Sequence, residues 1–224
     1  DWTIAKMCVQ IADANHHEMS SHLCRTHFVM APFAIAAARQ FAIQHPISIL
    51  LKPHFRFMLT NNKLGQDRLI NKGGIVDQLL AGTIEESLTI VTNSYESWSV
   101  KESSFPRDIK NRGLTKDHLA HFPYRDDGDL LWDAIKRFVG DYIRLYYRND
   151  KDIIEDSELQ GWAEELSDYK YGRVKDMPQR IKTRETIIDI LTNIIFTCGP
   201  QHGAVNFSQY DYMGFVPNMP LAAY

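Results

Sequence analysis

The sequence contains few cysteines and no long apolar run. Its 224 residues include three cysteines, an odd number spread along the chain at Cys8, Cys24 and Cys198. Each stands in an apolar helical context, so we expect buried, reduced thiols, as in a cytoplasmic protein. No apolar stretch approaches the roughly 18 residues of a membrane-spanning helix, and no signal-peptide pattern is recognisable.

An excess of basic residues is also absent. The chain has 25 Lys and Arg against 28 Asp and Glu, and the basic residues are scattered among the acidic ones. This pattern predicts no nucleic-acid partner. With 44% hydrophobic residues, the chain can bury a sizeable core, and we expect one large soluble domain or part of one.

Histidine, by contrast, is concentrated in one short stretch. The segment "HHEMSSHLCRTH", residues 16 to 27, contains four histidines and a glutamate. His17 and His22 are five residues apart, not four as in the H-E-x-x-H helix of zinc proteases, and in a regular α-helix they would point about 140° apart. Either the two histidines are unrelated polar residues, or a local π turn returns them to one side of the helix and favours a functional site.

Hydrophobic periodicity predicts an all-α fold. Apolar residues recur at helical spacing over residues 1–30, 32–45, 84–97, 129–147 and 153–167. The pattern in 129–147 predicts that its apolar residues lie in the core. Residues 46–82 are less periodic, and residues 94–128 and 168–178 are predicted to be polar connections.

A second polar cluster follows the nearly continuous apolar run of residues 187–196. His202 and Asn206 are four residues apart, which places them on one helix face. One interpretation is that both hydrogen-bond to neighbouring backbone. The other is that His17, His22 and His202 converge on one ion, with the Asn206 carbonyl oxygen as a weak fourth ligand. Such a set lacks thiolates and favours iron or manganese over zinc.

Several motifs together resemble one enzyme family. "WTIAKMCVQIADANHHEMSSHLCRTHFVMAPFAIA", "HPISILLKPHFR", "LINKGGIV" and "QHGAVNFSQY" are similar, in this order and separation, to segments of the lipoxygenases, the non-haem iron dioxygenases of polyunsaturated fatty acids. The resemblance covers the whole chain and includes "YRDDGDLLWDAIKRFVGDYIRLYY". It implies a multi-helix catalytic-domain bundle in which two long central helices carry the iron ligands.

The resemblance also implies the identity of those ligands. Iron would be held by the two histidines of the H-x4-H helix, taken as His17 and His22, and by His202 and Asn206. His16 and His27 fall outside these matched positions and are expected to be structural. Lipoxygenases complete the iron site with a C-terminal isoleucine carboxylate, whereas this chain ends "NMPLAAY". We therefore expect residues 1–224 to be a portion of one catalytic domain, with the N-terminal part and the C-terminal ligand segment missing.

The implied reaction converts a fatty acid of the linoleate, linolenate or arachidonate type, together with O2, into a hydroperoxide. An iron-bound hydroxide would abstract the bis-allylic hydrogen, so no protein side chain need act as a base. Leu69 and Val76 match positions that hold the pentadiene, and Gln209 matches an amide that links ligands to the substrate side. Gly65 matches the position where glycine accompanies R hydroperoxides, because a residue without Cβ leaves room for O2.

Alternatives to these roles remain open at the sequence level. Leu69 and Val76 could be ordinary core, and Gly65 could serve a turn that needs positive φ. The whole chain could be a helical lipid-binding module without turnover, or a zinc hydrolase that uses His17 and Glu18. Peripheral contact with membranes is an additional expectation for a cytoplasmic enzyme of lipids.

Overall fold

The computed structural model describes residues 1–207 and 209–223, and every regular element in this part of the chain is a helix. This confirms the all-α prediction. Tyr224, from which the missing C-terminal ligand was inferred, lies outside the described residues. The α-helices are α1 (Trp2–His16), α2 (Ala31–Gln40), α3 (Pro46–Leu51), α4 (Met58–Arg68), α5 (Ile75–Leu79), α6 (Ile84–Ser97), α7 (Phe105–Asn111), α8 (Pro123–Tyr146), α9 (Asp150–Glu155), α10 (Ser157–Ser167), α11 (Arg184–Phe196), α12 (His202–Asn206) and α13 (Gln209–Met213).

Two segments of π-helix interrupt this pattern. The first π segment, His17–Phe28, continues α1 without a break, and the second, Thr197–Gln201, lies between α11 and α12. Pro200 is inside the second segment, where it has no N–H to donate, which favours local widening of a helix. A short 3₁₀ turn, Val216–Asn218, follows α13.

The chain divides into two compact units. One consists of Asp1–Val29, Phe57–Ser97 and Gln201–Tyr224. It is built around the first π segment, on which α1, α4, α6 and α12 pack. Its apolar core contains Met19 and Leu23 from that segment together with Val76, Leu80 and Ile84. All the histidines and amides discussed below as site residues belong to this unit.

The other unit consists of Met30–Arg56 and Trp98–Pro200. In it α8 packs on α11, and α2 packs on α10. Trp162 is fully buried and contacts the rings of Phe33 and Phe41. A second aromatic group joins Phe105, Trp132 and Phe196. Residues 187–196 of α11 are buried apart from Asp189, so the prediction of a buried helix is confirmed for that run.

Several sequence expectations about the helices are wrong in detail. The connection 94–128 contains α7, and the predicted helix 153–167 is two helices that meet at Asp156, the N-cap of α10. In α8, Val139 is buried but Leu130 is 72% exposed, so this helix does not bury all its apolar residues. Cys8 is exposed, whereas Cys24 is buried; all three cysteines are free. None of the described helices is both long and apolar enough to cross a bilayer.

Candidate metal centre

The first π segment explains the unusual histidine spacing. Its last backbone bond runs from the Val29 N–H to the Cys24 carbonyl, five residues back. With this wider winding, residues five apart return to nearly the same side of the helix. The hypothesis of an overwide helix is confirmed, although it extends over 12 residues and not over a single turn. The five-residue step relates His17 to His22 and, equally, His22 to His27.

Three histidines converge at the end of this segment. His22, His27 and His202 each offer one ring nitrogen, and the three nitrogens lie within 4.8 Å of one another. The Nε2 atoms of His22 and His27 are 3.2 Å apart. The ring centroid of His202 is 5.6 Å from that of His22 and 4.6 Å from that of His27. Among the described residues, this is the group of His, Cys, Asp and Glu side chains that could hold a metal.

The structure therefore corrects the choice of histidines made from the sequence. His22 and His202 are brought together as expected, but His27 completes the group and His17 lies outside it. The π winding permits either neighbouring pair to share an ion, and α12, which packs on the π segment, brings His202 to the pair nearer the C-terminal end. His17 is half-buried, and His16 is exposed.

Hydrogen bonds fix which nitrogen of His22 carries the proton. Both carboxylate oxygens of Glu18 lie 3.2 Å from His22 Nδ1. A carboxylate can only accept, so His22 donates from Nδ1 and its Nε2 keeps a lone pair. Gln209 donates from Nε2 to the same carboxylate at 2.8 Å, and this nitrogen is 3.2 Å from His22 Nδ1. The structure thus places Gln209 against Glu18 and His22, and its expected link to the substrate side stays a prediction.

His27 is oriented by an amide on α4. Its Nδ1 lies 3.1 Å from Asn62 Oδ1, and Asn62 Nδ2 donates to the His27 carbonyl at 3.3 Å. Only the amide nitrogen of Asn62 can donate to the His27 carbonyl, so the amide oxygen faces the ring. His27 therefore also donates from Nδ1 and leaves Nε2 bare. Sequence reasoning missed Asn62; no spacing signal links it to His27, 35 residues away.

These three rings fit a bound cation. The Nε2 atoms of His22 and His27 face each other at 3.2 Å. With both ring protons on Nδ1, two lone pairs meet there, an arrangement that a positive ion stabilises. The Nε2 atom of His202 is buried and has no hydrogen-bond partner among the described residues. Buried polar atoms seldom lack a partner, and ring nitrogens from three histidines in one place are a donor set for a transition metal. Asn206, one helical turn after His202, lines the same site and can add its amide oxygen.

A cavity of about 300 Å³ opens beside the histidines. Leu23, Phe28, Leu69 and Ile70 form its apolar wall, and Gly65 and Asn206 also line it. Leu69 and Gly65 are thus placed next to the site, as the sequence predicted. Val76 is not among the residues that line the cavity. It is buried in the core cluster with Met19 and Leu80, as the core interpretation of Val76 expects.

The conformation of Gly65 removes one alternative. Gly65 is inside α4, and its backbone is not in the left-handed region, unlike that of Gly73 and Gly113. The suggestion that Gly65 serves a turn with positive φ is therefore wrong. A Cβ built on Gly65 would meet Leu69 Cδ1 at 3.8 Å, an ordinary contact.

Burial disfavours the charged form of His27, His202 and His17. It lowers the pKa of His27 to about 4, with further lowering from His202 and His22, and it lowers the pKa of His202 and His17 as well. Burial opposes ionisation of Glu18, but hydrogen bonds from His22 and Gln209 outweigh it and lower the Glu18 pKa. An ionised carboxylate thus lies behind His22, and burial favours the neutral form of His27 and His202.

The pKa of His27 predicts how stability depends on pH in the metal-free protein. Because the folded-state pKa of about 4 lies below the usual 6.5, the unfolded chain binds the proton more readily. The contribution of His27 is therefore complete above pH 6.5 and is lost as the pH falls towards 4. We expect a lower free energy of unfolding at about pH 5 than at about pH 7, measured by urea denaturation, and a smaller difference in His27→Gln. An equal free energy of unfolding at both pH values would contradict this role of His27.

Comparisons with known proteins agree with this geometry. The family model described as Lipoxygenase matches residues 1–224. The chain is 37% identical to an allene oxide synthase-lipoxygenase protein of Plexaura homomalla, over 98% of this chain and 21% of that protein. It is 36% identical to a linoleate 9S-lipoxygenase of Phaseolus vulgaris, over 98% of this chain and 31% of that protein. The chain thus spans about a fifth to a third of these relatives.

Solved structures give the same result. The crystal structure of a coral 8R-lipoxygenase superposes with a TM-score of 0.92 at 36% identity, covering 99% of this chain and 34% of that one. A calcium-dependent 11R-lipoxygenase superposes with a TM-score of 0.92 at 37% identity, covering 99% and 33%. Fold, histidine cluster and sequence therefore agree, and the chain belongs to the lipoxygenase family.

Proposed function

We propose that this protein is an iron-dependent lipoxygenase that converts polyunsaturated fatty acids of the linoleate, linolenate or arachidonate type, with O2, into hydroperoxides. The observation that carries the proposal is the convergence of ring nitrogens from three histidines, two of them 3.2 Å apart, beside an apolar cavity. The ligands proposed are His22, His27 and His202, with the Asn206 amide oxygen as a weaker fourth.

The donor set favours iron. It contains no thiolate, and neutral nitrogen and amide oxygen ligands suit a metal that changes oxidation state and keeps open positions. Bound iron would supply the one-electron chemistry that removes a hydrogen atom from the bis-allylic CH₂ of the substrate. Glu18 and Gln209 hold His22 with its Nε2 towards the ion, and Asn62 does so for His27.

The cavity supplies the substrate side. Leu23, Phe28, Leu69 and Ile70 offer apolar surface to a pentadiene and keep water from it. Its volume of about 300 Å³ is at the lower end of the range for ligand pockets, which suits one segment of a fatty acid. Positioning and exclusion of water are the contributions of the protein.

We also propose that the products are mainly R hydroperoxides. Relatives named for R products and for S products share 36% to 37% of residues with this chain, so overall identity does not decide the configuration. The support comes from Gly65, which lines the cavity as a glycine inside a helix and leaves the space of one methyl group beside Leu69.

The zinc hydrolase alternative is not supported. It needs Glu18 free to activate a water in front of the metal. Instead, the Glu18 carboxylate is bonded to His22 Nδ1 and to Gln209, on the side of His22 away from the bare Nε2. His17, the other residue of that alternative, is outside the cluster.

Two measurements on the purified protein test the proposal. We expect close to one equivalent of iron by elemental analysis, and an increase in conjugated-diene absorbance when linoleate is added in air. Removal of iron by a chelator should abolish the increase, and added Fe²⁺ should restore it. A protein without bound metal and without diene formation would indicate a lipid-binding module, and stoichiometric zinc would favour the hydrolase.

A further inference from the structure

Asn62 is an amide whose two ends both contact one histidine of the centre, His27. It lies on α4 and is 9% exposed. Its Oδ1 is 3.1 Å from His27 Nδ1, and its Nδ2 is 3.3 Å from the His27 carbonyl oxygen. A side chain that hydrogen-bonds to both the ring and the backbone of one residue restricts rotation of that ring about χ1 and χ2.

The His27 carbonyl needs a donor for a reason visible in the sequence. In a continued π-helix this carbonyl would accept from the residue five positions later, which is Pro32, and proline has no N–H. The first π segment accordingly ends at Phe28. The Asn62 amide group donates to the carbonyl that Pro32 cannot serve. This bond in turn fixes the amide with its oxygen towards the ring.

We propose that Asn62 is a positioning residue that selects the Nδ1–H tautomer of His27 and thereby presents its bare Nε2 to the metal. The inference rests on the proposed function for the metal, but the tautomer itself is a property of the metal-free protein. The other ring nitrogen of a ligand histidine is ordinarily held in this way by an acceptor, and loss of such a partner typically lowers metal affinity about 10- to 100-fold.

The position of Asn62 also connects the metal to the substrate cavity. Asn62 and Gly65 are three residues apart on α4, so they share a face, and both line the cavity. Helix α4, which contributes Gly65 to the cavity lining, is thus hydrogen-bonded directly to His27. A change at Asn62 is expected to affect the ligand geometry and not only the stability of α4.

Three variants separate these effects. Asn62→Ala removes both hydrogen bonds, whereas Asn62→Asp keeps an acceptor for Nδ1 and loses the donor to the carbonyl. Gln66→Ala is the control, since Gln66 is an exposed amide on the same helix and is not among the residues that line the cavity. Binding of Co²⁺, used as a spectroscopic stand-in for Fe²⁺, gives the affinity and the ligand-field bands. Two-dimensional ¹⁵N–¹H NMR of the metal-free protein gives the His27 tautomer, assigned with His27→Gln.

We expect His27 to be the Nδ1–H tautomer in wild type, in Gln66→Ala and in Asn62→Asp, and a mixture of tautomers in Asn62→Ala. Affinity for Co²⁺ should fall about 10- to 100-fold in Asn62→Ala, with altered ligand-field bands, and should be largely restored in Asn62→Asp. An Asn62→Ala protein with the wild-type tautomer and affinity would overturn the inference. If that variant does not fold, Asn62→Asp decides: loss of the Nδ1–H tautomer or of affinity there overturns it too.

The same experiment separates this inference from the proposed function. A wild-type protein that binds neither Co²⁺ nor Fe²⁺, yet changes its His27 tautomer in Asn62→Ala, would contradict the iron enzyme and retain the positioning role. Normal metal binding by the wild-type protein, with no effect of Asn62→Ala on tautomer or affinity, would contradict the positioning role and leave the proposed iron enzyme in place.

Discussion

His27→Ala is expected to abolish tight iron binding, whereas His17→Ala is expected to leave it intact. The reason is geometric: the ring nitrogens of His22, His27 and His202 lie within 4.8 Å of one another, and His17 is not part of this group. Removal of one of three imidazoles also leaves the facing Nε2 of His22 without the second nitrogen that lies 3.2 Å away. Activity on linoleate should fall with the iron content.

The comparison of these two variants is well controlled. Both replace a half-buried histidine of the same π segment, so general effects on helix stability are similar. Iron per chain, measured after purification and after addition of Fe²⁺ followed by gel filtration, is the readout, with His22→Ala and His202→Ala as positive controls. Retention of iron by His27→Ala together with its loss from His17→Ala would restore the assignment made from the sequence.

The two overlapping histidine pairs, His17/His22 and His22/His27, show which part of this centre the sequence determines. The five-residue spacing correctly predicted an overwide helix, because only a π winding brings such residues to one side. The same spacing, however, occurs twice in succession, at His17/His22 and at His22/His27. Which pair receives His202 depends on where α12 packs on the π segment, a long-range contact that local periodicity does not encode.

Other parts of the chain also show that local pattern predicts some features and that tertiary packing decides others. Helix α6 was predicted over residues 84–97 and is observed at Ile84–Ser97, because apolar periodicity specifies an amphipathic helix. Helix α4 was not predicted, since it has few buried residues and its pattern is weak. Leu69 and Val76 looked equivalent in the sequence, yet one lines the cavity and the other lies in the core. That difference is set by tertiary packing.

Gly65→Ala is expected to shift the products from R hydroperoxides towards S hydroperoxides at a different carbon, while hydrogen abstraction continues. Glycine at this position leaves the space of one methyl group in the cavity. A Cβ placed there meets only Leu69 Cδ1, at 3.8 Å, so alanine fills this space without a clash. We expect O2 to be blocked at one end of the pentadienyl radical and to add at the other end from the same side.

The fold should tolerate this change, which makes the product ratio a clean readout. Alanine inside a helix is more favourable than glycine by roughly 0.5 to 1 kcal/mol, so the variant should unfold at a slightly higher temperature than wild type. A roughly tenfold change in the ratio of R to S products corresponds to about 1.4 kcal/mol between the two competing additions. Chiral-phase chromatography of the hydroperoxides from linoleate or arachidonate measures that ratio, and the rate of diene formation reports hydrogen abstraction.

Gln66→Ala is the matched control, because Gln66 is the next residue of α4 and is exposed. It should leave both the rate and the product ratio unchanged. An S-dominated mixture from the wild-type protein, or an unchanged product set from Gly65→Ala, would contradict the role of Gly65 as the site of oxygen access. A loss of diene formation in Gly65→Ala would instead place the glycine in substrate binding. The space that the alanine methyl fills would then be needed by the fatty acid chain and not by O2.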